Sequence, residues 1–277
     1  MAGAAGAPRQ FASGREAAVR GEVTGEGTPI VLCHGLTATR RSVVHGSRRL
    51  ERGGFAVIAY DARGHGESDP APAGTGYGYP ELAEDLGAVI EDQAGEEPVV
   101  LAGHSMGAHT AIAFSLRHPE RVGALIAIGP TYTRVDQSSL SYWDGLADAL
   151  EQGGIDGFVD YIGSAQEIGS PWRDSVLRFT RERMERHRHL EAIARALREV
   201  PRSQPFDVAG LESLAVPALV VASHDAADPG HPYAIAAEYA ERIPGARLAS
   251  EEQGQSPLAW QGGRLSREIE NFCRELQ

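Results

Sequence analysis

The pentapeptide Gly103-His104-Ser105-Met106-Gly107 sets a serine between two glycines, where an apolar run ends and a helical pattern begins. A serine hydroxyl is a weak nucleophile unless a base takes its proton and donors receive the charge that develops on the attacked carbonyl. Small residues on either side permit a tight turn that holds the hydroxyl clear of the chain. The helix that follows would turn its partly positive N-terminus towards that hydroxyl, favouring an anion there. The chemistry this predicts is nucleophilic attack by Ser105 on an acyl carbon. It needs a base and an acid that orients the base. Two carboxylates, Asp225 and Asp228, and two histidines, His224 and His231, follow the apolar run that ends at Ala222. His231 is the preferred base, because it sits between Asp228 and a helix start at Pro232; His224 is the alternative. For each of them the competing reading is an exposed loop histidine, which is the commoner case for a lone loop histidine.

The elements that must position these groups are legible as alternating patterns. Apolar runs at Pro29 to Cys33, Ala56 to Tyr60, Pro98 to Ala102, Ala124 to Ile128 and Pro217 to Ala222 read as strands covered on both faces. Ala246 to Ala249 is the last of them. Segments of helical period lie at Tyr79 to Asp92, Gly107 to His118, Pro232 to Ile243 and Leu265 to Leu276. Strict alternation predicts an α/β fold, a mostly parallel central sheet flanked by helices. From about Thr131 the alternation fails, and Leu140 to Gln152, Ile155 to Ile162 and Val176 to Val200 read as helices. The expected organisation is a core of residues 1–130 and 206–277 with a helical cap at 131–205. Such a cap would exclude water and shape substrate choice; a purely structural insertion is the alternative.

Four blocks of this sequence resemble the α/β-hydrolase superfamily, from about Gly21 to Leu276. His34-Gly35-Leu36-Thr37 resembles the oxyanion loop, and Asp61 to Ser68 resembles the family's D-x-R-G-x-G-x-S turn. Gly103 to Gly107 resembles its nucleophile elbow, and Asp228-Pro229 with Pro232 resembles the loop that holds the acid. The resemblance implies an α/β-hydrolase fold with a helical cap and an oxyanion hole made by the N–H groups of Leu36 and Met106. It favours Asp228 over Asp225 as the acid, with the register of that loop left open. His34, Gly35, His104, Gln255 and Trp260 would border the substrate pocket, His34 and His104 as structural members. His109, one helical turn beyond Ser105, would be buried beneath the elbow. The sequence departs from the family at the catalytic histidine. Gln255 stands in that position, and no histidine follows His231. A glutamine amide cannot take a proton from Ser105 near neutral pH.

Three readings follow. A different histidine serves as base for hydrolysis of a small, mostly apolar ester, lactone or related acyl compound. Or the pocket runs other chemistry with little acid–base work. Or the chain is a catalytically silent ligand-binding relative, since fold alone does not decide function.

Bulk properties narrow the classes. The chain has 277 residues and a net charge of −12, from 26 basic and 38 acidic residues. Such a surface repels phosphate backbones and anionic membranes, so a small-molecule substrate is expected, without nucleic acid or membrane as partner. A monomer or homodimer is expected. The two cysteines, Cys33 and Cys273, offer no disulfide framework or metal spacing, and a reducing, cytoplasmic setting is the expectation. The Ala- and Gly-rich stretch Met1 to Pro8 lacks the pattern of a signal peptide and reads as a frayed tail. No cofactor or metal site is expected: His187-Arg188-His189 lacks helical zinc spacing and reads as a solvated face of the cap. Arg181 to Arg188 reads as an exposed helix, and Gly74 to Gly78 as a loop rather than a dinucleotide fingerprint. Tyr132, Tyr142, Trp143 and Trp172 either line an apolar pocket or pack between cap helices. Trp260 leans over the site or anchors the last helix.

Overall fold

The computed structural model describes residues 8–14, 17–131, 137–165, 173–225, 228 and 230–276. Its strands are β1 (Arg9–Ser13), β2 (Val19–Thr24), β3 (Thr28–Cys33), β4 (Phe55–Tyr60), β5 (Val99–His104), β6 (Val122–Ile128), β7 (Ala218–Val221) and β8 (Arg247–Ala249). Its helices are α1 (Arg49–Arg52), α2 (Tyr79–Ala94), α3 (Met106–Arg117), α4 (Gln137–Ala165), α5 (Arg173–Met184), α6 (Leu190–Glu199), α7 (Tyr233–Arg242) and α8 (Gly262–Glu275).

The strands form one sheet in the order β1-β2-β4-β3-β5-β6-β7-β8. The ladders from β4 across to β8 are parallel, and β1 and β2 add two antiparallel pairings at one edge. The apolar runs are continuous because successive side chains feed opposite faces. In β5, Val99 and Leu101 enter one buried layer, whereas Val100 and Ala102 enter the other. Residues of α2, α3 and α7 complete the first layer; Leu50 of α1 and the apolar stripe Leu265, Ile269, Phe272 of α8 complete the second. Leaving β3, the chain adds β4 on one side and later β5 on the other. That reversal opens a crevice at the carboxyl ends of β3 and β5, the place where open α/β sheets bind ligands.

Sequence patterning missed β1 and β2. Their alternation is weak and β1 is largely exposed, as an edge strand can be when one neighbour supplies all its pairing. Among the described residues, three α-helices lie between β6 and β7. The break expected at Gly153-Gly154 is a kink inside α4, where Gly154 takes φ 60° and ψ −149°. The helix expected from Val176 to Val200 is in fact two, α5 and α6, with a turn at 185–189 between them. The three helices share an apolar centre of Leu146, Leu150, Phe158, Met184, Ile193 and Leu197. No helix among the described residues is long and apolar enough to cross a membrane.

Candidate active site

Ser105 sits at the carboxyl end of β5, on the turn into α3. Its backbone takes φ 53° and ψ −115°, a conformation that costs a non-glycine residue about 1–3 kcal/mol and persists only where surroundings enforce it. The enforcement is visible in the flanking glycines. A Cβ on Gly103 would collide with the Gly107 carbonyl, and one on Gly107 with the carbonyls of Cys33 and His34 at the end of β3. Only glycine at both positions lets strand, turn and helix close this tightly. The Ser105 N–H is held by the Ile128 carbonyl at 3.0 Å. Met106 opens α3, where first-turn N–H groups lack a carbonyl one turn back and stay free to receive an anion.

The turn after β3 faces this elbow. A Cβ on Gly35 would lie 3.0 Å from His104 Nδ1 and 3.4 Å from Ser105 Cβ, so Leu36 follows a backbone pressed against the elbow. The Leu36 side chain packs both on the centre of the three inserted helices and on the cluster around Tyr79 and Met106. His34 is buried; its Nδ1–H donates to the Gly35 carbonyl at 2.8 Å and its Nε2 accepts from the Ala62 N–H at 2.8 Å. Both ring nitrogens are thus committed to shaping the turn.

Asp228 and His231 come together in the loop after β7. The His231 Nδ1–H donates to Asp228 Oδ2 at 2.8 Å, and both side chains are mostly buried. Burial alone would raise the Asp228 carboxyl. The hydrogen bond from His231, with the fields of His231, His104 and Arg183, holds it below the usual carboxylate value. Asp228 is therefore ionised and fixes the His231 tautomer, leaving Nε2 with the lone pair. The His231 ring lies 5.0 Å from that of His104, the residue before Ser105. Gly129, at the end of β6, separates the two rings: a Cβ there would be 3.5 Å from His231 Cδ2 and 3.6 Å from His104 Nε2. Desolvation pushes His104 down to about 3, with His231 next to it as a second cause, so His104 is neutral. Trp260 packs edge-on against His104 at 5.7 Å and also against His45, while 41% of it stays exposed. No hydrogen bond joins the Ser105 hydroxyl to another described residue.

Gln255 is not brought to this cluster. Its side chain is exposed, donating to Glu252 at 3.0 Å and accepting from Arg264 at 3.3 Å. The residue of that loop that turns inward is Glu251, which sequence reasoning missed. Its carboxylate is buried and accepts from the Ser223 hydroxyl at 3.0 Å, the His224 N–H at 2.5 Å and the Leu258 N–H at 2.8 Å. His224 stacks on Tyr233, ring centroids 4.1 Å apart, instead of joining Asp228.

The reading of His187 to His189 as a solvated face needs correction at His187. That ring is buried; its Nδ1 accepts from the Gly66 N–H at 2.8 Å and its Nε2–H donates to the Thr37 carbonyl at 2.9 Å. Burial pushes it down to about 4, and the neutral ring is the form that can both donate and accept. It fastens the turn after α5 to the loop that carries Leu36. The D-x-R-G-x-G-x-S turn does similar work: Asp61 is buried and paired with Arg40, and it accepts from the Arg40 N–H at 2.7 Å and the Glu67 N–H at 3.1 Å. His109 is buried behind the elbow, bonded to Tyr79, Tyr239 and the Thr131 carbonyl. Tyr142 and Trp143 pack on one another and on the inserted helices; Tyr132, Trp172 and Pro229 lie outside the described residues. Cys33 and Cys273 are buried free thiols. No cluster of three or more His, Cys, Asp or Glu among the described residues could hold a metal ion.

A strained serine at a strand-to-helix turn, at the switch point of a parallel sheet, with an aspartate–histidine pair against the ring of the residue before it, defines a recognisable class. The chain matches the alpha/beta hydrolase fold family over residues 28–188, more than half its length, and belongs to that family. It is 27% identical, over 212 residues, to 2-hydroxy-6-oxononadienedioate/2-hydroxy-6-oxononatrienedioate hydrolase 2 of Pseudomonas putida, covering 71% of each chain. A thermophilic esterase from Thermogutta terrifontis superposes with a TM-score of 0.79 at 21% identity, over 98% of this chain and 99% of that one. An esterase from Exiguobacterium antarcticum superposes with a TM-score of 0.67 at 27% identity, over 94% of each. Other relatives match over shorter stretches: the alignments span only 36% and 42% of the length of two of them.

Proposed function

We propose that this chain is a serine hydrolase of small acyl compounds, esters or lactones, with Ser105 as nucleophile and His231 as its base. The observation that carries the reading is the Asp228–His231 hydrogen bond of 2.8 Å, with the His231 ring 5.0 Å from that of His104, the residue before the strained Ser105. Two relatives described as an esterase and a hydrolase, each 27% identical, support it.

In this mechanism the Ser105 Oγ attacks the acyl carbon as its proton passes to His231 Nε2. The N–H groups of Leu36 and Met106 receive the negative charge on the carbonyl oxygen. The imidazolium, balanced by Asp228, returns the proton to the departing alkoxide and the C–O bond to it breaks. Water then repeats the sequence on the acyl-enzyme and releases the acid. Hydrogen bonds of this kind often close only when substrate is bound. The helices α4 to α6 act as a cap that shields the site from water.

A fluorophosphonate probe tests the serine directly. The expected result is rapid covalent labelling of the wild type and none of Ser105→Ala. A wild type that stays unlabelled across the neutral and alkaline range overturns the reading and leaves a silent ligand-binding protein.

A further inference from the structure

Arg183 lies in the last turn of α5, in the stretch whose mixed charges suggested an exposed helix. It is half-buried rather than exposed, and its Nε is enclosed without a hydrogen-bond partner. Its orientation is set by its neighbours. Met184, the next residue, is fully buried at the centre of the inserted helices. His187, four residues on, is bonded to the backbone of Thr37 and Gly66. The end of α5 is therefore clamped over the turn that carries Leu36.

Among the described residues, the groups that act on Arg183 include Asp228 of the candidate site. Burial lowers the Arg183 guanidinium, Asp228 and the Tyr142 hydroxyl act the other way, and Arg183 in turn acts on His104 and His187. Asp228 forms no ion pair with Arg183; its carboxylate is hydrogen-bonded to His231 instead. Other cap arginines are paired at the surface, as Arg181 is with Asp156 and Arg198 with Asp148 and Glu151. A half-buried guanidinium with an enclosed Nε and no ion pair among the described residues is costly, and truncating or pairing it would be cheaper for folding alone. A planar fork of N–H donors at the roof of an acyl-transfer site fits a planar anion.

We infer that Arg183 binds a carboxylate on the substrate, so that the preferred substrates are acyl compounds carrying a second, ionised carboxyl group. This rests on the hydrolase reading for its chemistry, but not for its binding. The cap would then supply the anchor and the core the reacting groups, with the acyl carbon at Ser105 and the carboxylate beneath α5.

The test uses p-nitrophenyl monoesters of succinate, glutarate and adipate, each against a neutral counterpart in which isopropyl replaces the carboxylate. Uncatalysed hydrolysis is subtracted. In the wild type at least one carboxylate ester should exceed its neutral counterpart in kcat/KM by about tenfold or more. In Arg183→Met that ratio should collapse towards one. A wild type without preference overturns the proposal whether or not the variant folds. A ratio that survives in Arg183→Met also overturns it, and assigns Arg183 to holding Asp228 instead. Calorimetric titration of the Ser105→Ala protein with the free dicarboxylates gives a readout without chemistry. Binding that Arg183→Met abolishes supports the proposal even if no ester is turned over, a result that would sink the hydrolase reading alone. Turnover of both ester types at equal rates, without dicarboxylate binding, sinks the carboxylate proposal alone.

Discussion

Two loops leave the paired strands β7 and β8 side by side, and they have divided the work differently from what the family resemblance implies. The loop after β7 turns Asp228 and His231 inward and bonds them to each other. The loop after β8, where the family carries its histidine, leaves Gln255 in solvent with Glu252 and Arg264. Its buried contribution is Glu251, which reaches across to hold Ser223 and His224 at the stem of the first loop. One loop thus presents titratable groups to the elbow, and the other braces the backbone beneath them. An aspartate and a histidine three residues apart on one loop can orient each other without help from a second loop, which frees the second for a structural role.

The comparison breaks first at His231. If the loop after β7 supplies the base, His231→Asn should lower kcat for an activated ester by about three decades or more while leaving the circular dichroism spectrum intact. His224→Asn, on the stacked histidine, should stay within roughly threefold of wild type. Equal losses in the two variants would mean that the loop matters only as scaffold.

A smaller effect, on stability and not on chemistry, is expected at Glu251. Replacing its carboxylate in Glu251→Gln puts an amide donor against backbone N–H groups and should cost about 1–3 kcal/mol, read as a fall in the denaturation midpoint. The sign of its pH dependence follows from its environment. Burial would raise this carboxyl, but the hydrogen bonds from Leu258, His224 and Ser223 hold it below its ordinary 4.5. The stability it contributes is therefore present above about pH 4.5 and lost as the pH falls through the lower folded-state value. The gap between wild type and Glu251→Gln should narrow under acid. A gap that is constant down to pH 3 would mean that the carboxylate charge is not what braces the loop.

The smallest effect belongs to Gln255. With its side chain among surface charges, Gln255→His should leave kcat/KM within about twofold. A large gain would show that the loop after β8 swings inward when substrate binds, and that its structural role is not exclusive.

Much of this molecule is legible from local pattern. Apolar runs read as strands because each residue has only two faces to choose from and both are covered here. The elbow reads as a sharp turn because its two glycines are required within five contiguous residues. The Asp228–His231 pair was also within reach, since its partners are three residues apart and the helix start at Pro232 limits where the ring can point. The edge strand β1 and its neighbour β2 were missed, because strands with a solvent-facing side and mixed charges have little periodic signal.

The sequence by itself therefore determined the alternation of the fold, the tight serine turn and the departure at Gln255. Each of these is a property of neighbouring residues or of a residue type alone. Only the tertiary structure decided that His187 and Glu251 turn inward while Gln255 faces solvent, and that the Nε of Arg183 is enclosed at the end of α5. A histidine in a charged run, a glutamate in a polar loop and an arginine on a polar helix carry no local mark of burial. Their orientation is set by partners as distant in the chain as Thr37 is from His187, and by the packing that brings those partners together.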